Sequence, residues 1–133
     1  MLEHLADAKR AVSEIKRVLK NGAYVYGITP FLYPFHSSPN DYYRWTGAGV
    51  SELFYGFEVV EIGMRSGPVS AALSILMHIL AVLFSFGSKS AYVFLLNVFM
   101  VVLSPFKIFD AIFFLFPRSI EAASFLYFLM RKK

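Results

Sequence analysis

The chain contains no cysteine. That excludes a disulfide framework, a thiolate metal site and a cysteine nucleophile. Charge is also scarce: 17% of the 133 residues are charged and 57% are hydrophobic, the reverse of a disordered chain. Lys and Arg are not interleaved with stacking aromatics, so no nucleic-acid partner is expected. No Gly-x-Ser-x-Gly turn is present, which argues against a serine hydrolase. His4, His36 and His78 lie far apart and none has the i, i+4 partner of a helical zinc site, so no metal is expected. No charged segment leads into an apolar one at the start, so no signal peptide is expected.

What is present is unevenly spread. Residues 1–67 carry seven Lys/Arg and seven Asp/Glu, which cancel; residues 68–133 carry six basic and two acidic residues and hold the whole surplus of +4. The surplus lies in the greasier half, which points to a membrane surface. The length allows one modest domain or part of a larger one.

Asp7 reads as an N-cap. Ala8, Ala11, Val12, Ile15, Val18 and Leu19 follow at helical spacing with the charges mostly opposite, and Asn21-Gly22 stops the helix. Ala23 to Thr29 is short, aromatic and uncharged, as in a strand of a parallel sheet buried on both sides. Pro30 and Pro34 end it, and Phe31 to Trp45 forms an aromatic loop. Thr46 caps a short helix bearing Val50, Leu53 and Phe54, Gly56 closes it, and Phe57 to Met64 is the next strand. This alternation predicts an α/β fold of doubly wound type.

Beyond Gly67 the pattern changes. Pro68 to Phe86 and Ser90 to Phe106 carry no formal charge and are separated by Gly87-Ser88-Lys89. Runs of this length reach roughly 26–28 Å as helices, just short of a ~30 Å hydrocarbon core. Ser70, Ser74, His78, Ala81 and Ser85 form one small or polar stripe, and Ser90, Asn97 and Ser104 another. Two helices joined by a tight turn are expected to meet along these stripes and bond across them. For His78 this helix contact outweighs a lipid-side or substrate-side role. A transmembrane hairpin, a monotopic insertion and a core buried by protein are the three readings of the runs, and membrane contact is favoured because a surface-lying helix would carry Lys or Arg. Lys107 to Phe116 is a shorter apolar piece, and Ala123 to Met130 a last apolar strand before Arg131-Lys132-Lys133.

Leu2-Glu3-His4-Leu5, Asp7, the basic helix, Asn21-Gly22 and a strand ending in Pro30 together resemble the second half of class I S-adenosylmethionine-dependent methyltransferases of the type 11 kind. The run Pro30 to His36, then Pro39 and Asp41 to Thr46, is similar to the substrate-side loop of one branch of that family. Gly56 to Val60 is similar to its lead into the sixth strand, and Ala123 to Lys133 to its seventh, antiparallel strand. The second glycine usual after the helix is Ala23 here. The glycine-rich turn that holds the methyl donor, and the acidic residue ending the second strand, have no counterpart. Gly47-Ala48-Gly49 opens a helix instead of following a strand.

The resemblance therefore implies the carboxyl half of a Rossmann-like methyltransferase sheet in residues 1–67 and 118–133. An apolar helical insertion, residues 68–117, would precede the last strand. A complementary N-terminal half of roughly a hundred residues is expected to complete it. The implied activity is methyl transfer from S-adenosylmethionine to a small or lipid-linked acceptor, at a membrane and on its cytoplasmic side. The alternative is a non-enzymatic, membrane-anchored protein with a remnant α/β part.

The resemblance places Leu2 and Glu3 at the donor edge and His4 near the methyl donor, where its imidazole takes a proton or, equally, caps backbone at a chain end. His36 is a second candidate base. Asp41, Tyr42 and Arg44 are candidate acceptor-binding residues, since loops at the carboxyl ends of strands carry ligands in open α/β sheets. The plainer possibility is that Asp41 and Arg44 pair with each other to hold the loop.

Overall fold

The computed structural model describes residues 2–36 and 40–133; Met1 and residues 37–39, with the Pro39 position of the loop, lie outside the described residues. A 3-10 turn at Leu2–His4 leads to helix α1, Ala8–Val18. The Asp7 carboxylate accepts the Arg10 amide at 2.8 Å, satisfying one of the N–H groups that a helix start leaves open. Beyond the helix Gly22 sits at φ +81°, a left-handed position that favours glycine. Strand β1 is Tyr24–Pro30, and helix α2, Gly47–Leu53, is capped by Thr46, whose hydroxyl accepts the Gly49 amide at 3.0 Å. Strand β2, Phe57–Ser66, follows.

The last strand, β3, Phe125–Lys132, lies between β1 and β2 and runs antiparallel to both. The chain is thus mixed α/β with a three-stranded antiparallel sheet, in which β1 and β2 share a direction but are separated by β3. The expectation of strands paired in parallel is corrected accordingly. The expectation that β1 is buried on both sides is corrected too: Tyr24, Tyr26 and Ile28 are exposed on one face. The reason is that α1 and α2 cover the same face. Val12, Val50, Leu53 and Phe54 pack there with Phe128 and Met130 of β3. Phe128 pairs across from Gly27, where its ring occupies the space of a side chain. β2 keeps register with β3 through two irregularities, between Val59 and Glu61 and between Met64 and Ser66.

Between β2 and β3 the chain forms helix α3, Pro68–Ser85, helix α4, Lys89–Leu103, a 3-10 stretch, the short helix α5, Asp110–Phe113, and a 3-10 turn at Pro117–Ala122. Two helical runs, Pro68–Ser85 and Lys89–Phe113, are long and apolar enough to cross a membrane. Ser70, Ser74, Ala81 and Ser85 are buried, so the small stripe of α3 faces inward as expected. Its polar atoms bond within their own helix, not across: Ser74 Oγ donates to Ser70 O at 2.7 Å, and His78 Nδ1 contacts Ser74 O at 2.7 Å. Ser90, Asn97 and Ser104 are exposed, whereas Tyr92, Leu95 and Phe99 of α4 are half-buried, Tyr92 with its ring 6.5 Å from that of His78 on α3.

Helix α3 begins at Gly67, which has no side chain to cap it. Asp110 supplies the cap from forty residues away. Its carboxylate accepts the amides of Gly67 and Val69 at 2.9 Å and of Ser70 at 3.2 Å, and is itself buried. A Cβ on Gly67 would lie 2.5 Å from Asp110 Oδ1. Gly67→Ala and Asp110→Ala are therefore each expected to destabilise the fold by about 1–3 kcal/mol, one by a clash and one by stranding buried amides. Thermal unfolding in detergent checks this; an unchanged midpoint in both would remove Asp110 as the cap of α3.

Candidate functional site

The carboxyl ends of β1 and β2 lie on one side of the sheet, because the two strands run the same way. The loop after β1 is fixed there by backbone bonds. Phe31 N donates to Ser124 O at 2.9 Å and Trp45 N to Pro30 O at 3.3 Å. The 3-10 turn joins it, with Tyr42 N donating to Glu3 O at 2.7 Å and Tyr43 OH to Ala6 O at 3.0 Å. Five of the seven sequence candidates, Glu3, His4, His36, Asp41 and Arg44, come together in this corner.

Arg44 is saturated. Its Nη1 and Nη2 each donate to one Asp41 oxygen at 2.5 Å, a two-pronged ion pair. Nε donates to Tyr33 O at 2.9 Å, Nη1 also to Tyr43 O at 2.9 Å, and Nη2 also to Pro34 O at 3.0 Å. A guanidinium has five N–H groups, and all five are used inside the loop. The geometry is that of the plainer reading, a staple, with no donor over for a substrate anion. Asp41 has 1% of its side chain exposed and also accepts the His36 amide at 2.9 Å.

The two histidine rings stand edge to face with centroids 5.1 Å apart. His4 Nδ1 lies 2.5 Å from the carbonyl oxygen of Asn40. A carbonyl only accepts, so Nδ1 is the donor there. His4 Nε2 is 3.5 Å from Glu3 Oε1. His36 Nε2 is 3.8 Å from the same oxygen, and His36 Nδ1 faces Asp41 Oδ2 at 3.4 Å. Tyr42 is half exposed at the loop surface, where its hydroxyl accepts from Asn40 Nδ2 at 3.0 Å. Leu2, placed at the donor edge by the resemblance, is instead packed into the core beside α1 and α2.

Beyond His36 the corner opens into a cavity of about 480 Å³, walled by Tyr33, Phe35, His36 and the α3–α4 residues Met77, His78, Tyr92, Leu96 and Met100. His78 also lines a neighbouring apolar groove of about 430 Å³ with Pro34 and Ile75. Sequence reasoning did not bring Met77, Tyr92 or Met100 to the site. His78 was the one visible signal, a titratable group in an otherwise apolar run.

The donor fits poorly here. Among the described residues no glycine-rich turn follows a strand, and Gly47-Ala48-Gly49 opens α2. These residues alone do not form a cradle for S-adenosylmethionine. No protein family, no curated protein and no solved structure matches the chain.

The staple has a pH signature. The Arg44 hydrogen bonds hold the Asp41 carboxyl well below its ordinary range despite burial. A carboxyl depressed on folding adds stability above its unfolded value, about 3.9, and that stability is lost as pH falls toward the folded value. At pH 7 Asp41→Asn is expected to be less stable than wild type by roughly 3 kcal/mol, because it weakens a buried ion pair. Below about pH 4 the difference should shrink. Denaturation of both proteins from pH 2 to 7 tests this, and a pH-independent gap would refute it.

Proposed function

We propose that this chain is the acceptor-binding, membrane-contacting part of a class I S-adenosylmethionine-dependent methyltransferase acting on an amphiphile. The observation that carries the reading is the cavity at His36. One end holds an imidazole beside a carboxylate and a second imidazole; the other walls are the apolar helices. Such a space suits a molecule with one polar head and an apolar tail, the head meeting His36 and the tail running along α3 past His78. The last strand, antiparallel between the two before it, supports the family resemblance and with it a Rossmann-like sheet. The donor would be held by a complementary N-terminal half, since this chain lacks the cradle. Within this chain His4 or His36 would receive the proton of the acceptor at Nε2, and Arg44 and Asp41 would keep the loop in place.

Membrane lipid is the proposed partner of the helices. Val82, Leu83, Phe84, Phe94, Val101 and Ile108 are among many large apolar side chains exposed there, and no residue in the second apolar run's window is buried. Pro34 of the loop borders the same apolar groove as Val82 and Leu83 of α3. A spanning hairpin would draw that loop into the hydrocarbon core. The shared groove favours a monotopic hairpin, and the resemblance would put it on the cytoplasmic side. The non-enzymatic alternative draws support from one observation, the complete occupation of Arg44 by its own loop.

Two experiments test this. Membranes from cells carrying the gene with its upstream reading frame should transfer labelled methyl from S-adenosylmethionine into lipid-extractable material. His36→Ala, or Met77→Trp filling the cavity, should lower the transfer at least tenfold, a loss of about 1.4 kcal/mol or more in transition-state binding. Label independent of the gene would support the non-enzymatic alternative. In intact cells, cysteines replacing Ser88 and Ser119 should both resist an impermeant thiol reagent, while the protein sediments with membranes and is released by detergent. Labelling of the Ser88 variant from outside would mean a transmembrane hairpin, and a protein soluble without detergent would remove the membrane.

A further inference from the structure

We propose that Glu3, His4 and His36 form a three-ligand site for a divalent transition-metal cation, with zinc(II) the best fit. One ligand atom from each lies within 4.8 Å of the other two. Glu3 Oε1 is 3.5 Å from His4 Nε2 and 3.8 Å from His36 Nε2. Zinc bonds of about 2.1 Å in tetrahedral geometry set ligands about 3.4 Å apart; both separations from Glu3 are near that, and the two rings, within 4.8 Å of each other, would draw together around the ion.

The surroundings of His4 are those that a metal-bound imidazole requires, and His36 stands beside a fixed carboxylate. A ligating histidine offers one nitrogen and has the other held by a carbonyl or carboxylate, which fixes ring and tautomer. His4 Nδ1 is held by the Asn40 carbonyl at 2.5 Å. His36 is held through its backbone, its amide donating to Asp41 Oδ2; its Nδ1 lies 3.4 Å from that oxygen, is buried and makes no hydrogen bond of its own among the described residues. Asp41 is locked by both prongs of Arg44, so the second layer is rigid. Two neutral imidazoles and a carboxylate are a borderline-soft set, suited to zinc more than to magnesium or calcium. Residues at positions 3, 4 and 36, separated by 1 and 32, match no linear zinc motif, which is why sequence spacing excluded a metal that the fold brings within reach.

Three protein ligands leave a fourth position open, the pattern of a zinc that receives an outside ligand. His36 lines the cavity, so that position can take an oxygen of the molecule there. The identity of this fourth ligand rests on the acceptor reading above; metal binding does not. With the ion present both Nε2 atoms are occupied, so the cation would hold the head of the acceptor and lower its pKa as a Lewis acid, in place of an imidazole taking its proton.

Tag-free protein in detergent, titrated with zinc(II) by calorimetry and with cobalt(II) by visible absorption, should bind one equivalent at micromolar affinity or tighter. His4→Ala and His36→Ala should each weaken binding at least tenfold, and His78→Ala should leave it unchanged. Circular dichroism reports whether the variants fold. X-ray absorption of the zinc-loaded wild type needs no variant and should show two imidazoles in a nitrogen and oxygen shell. No stoichiometric binding, fewer than two imidazoles, or equal binding by the folded His4 and His36 variants would overturn the site. None of these readouts involves methyl transfer, so a failed metal site and a failed methyltransferase remain distinguishable.

Discussion

The pairing of β3 between β1 and β2 is the constraint from which the rest follows. Neither outer strand pairs with the other, so the sheet exists only once the last segment of the chain has entered it. The entry point is set by the exit point: Ser66, the last residue of β2, is the register partner of Phe125, the first of β3, and Ser124 N donates to Ser66 O at 2.9 Å. Residues 67–124 are therefore an excursion that begins and ends at one place. Loop closure grows only slowly with length, so such an excursion can be long at little entropic cost. Asp110 ties its far part back to its root by capping α3 at Gly67. The shared direction of β1 and β2 also puts the loop after β1 and the helices after β2 on the same side of the sheet. That is why Pro34 and His36 meet α3.

The polar corner shows how a short loop holds buried charge. Asp41 is almost wholly out of water, and an isolated carboxylate there would be costly. Arg44 neutralises it with ideal two-pronged geometry and spends its other donors on three backbone carbonyls of the same loop. Each side thereby satisfies the other, the condition under which a buried ion pair is tolerable. The consequence is division of labour. The ion pair fixes shape, and the imidazole Nε2 atoms of His4 and the neighbouring His36 are left to face Glu3.

Much of the fold was legible because it rests on local chemistry. Asp7 and Thr46 cap the helices they announce, and Gly22 and Gly56 take the left-handed turns they suggest. The two apolar runs and the loop between Pro30 and Trp45 were visible from composition alone. What failed was the inference of neighbours. An uncharged strand reads as doubly covered, yet β1 has Tyr24 and Tyr26 on an open face, because the position of α1 and α2 is not written in β1. Serine and asparagine stripes read as helix contacts, yet on α4 the stripe faces out, while larger residues such as Tyr92 and Phe99 are half-buried. The histidines were found one by one, but their meeting across 32 residues depends on Tyr42 binding Glu3 and on the Asp41–Arg44 pair, which periodicity cannot report.

The helices solve a problem that their polar residues would otherwise create. Hydroxyls, amides and imidazoles placed in an apolar setting need partners, and a partner on another helix is available only after that helix has docked. Here the partner is the preceding turn of the same helix. Ser74 bonds to Ser70 O, His78 to Ser74 O and Asn97 to Val93 O, the last at 2.8 Å from an exposed position. Bonds of this back-reaching kind form with the helix itself and do not depend on what surrounds it. The small residues of α3 are then buried with the Ser74 and Ser85 hydroxyls already satisfied. The hairpin can present an apolar exterior without stranding those polar atoms, while His78 keeps its ring on the wall of the cavity that begins at His36.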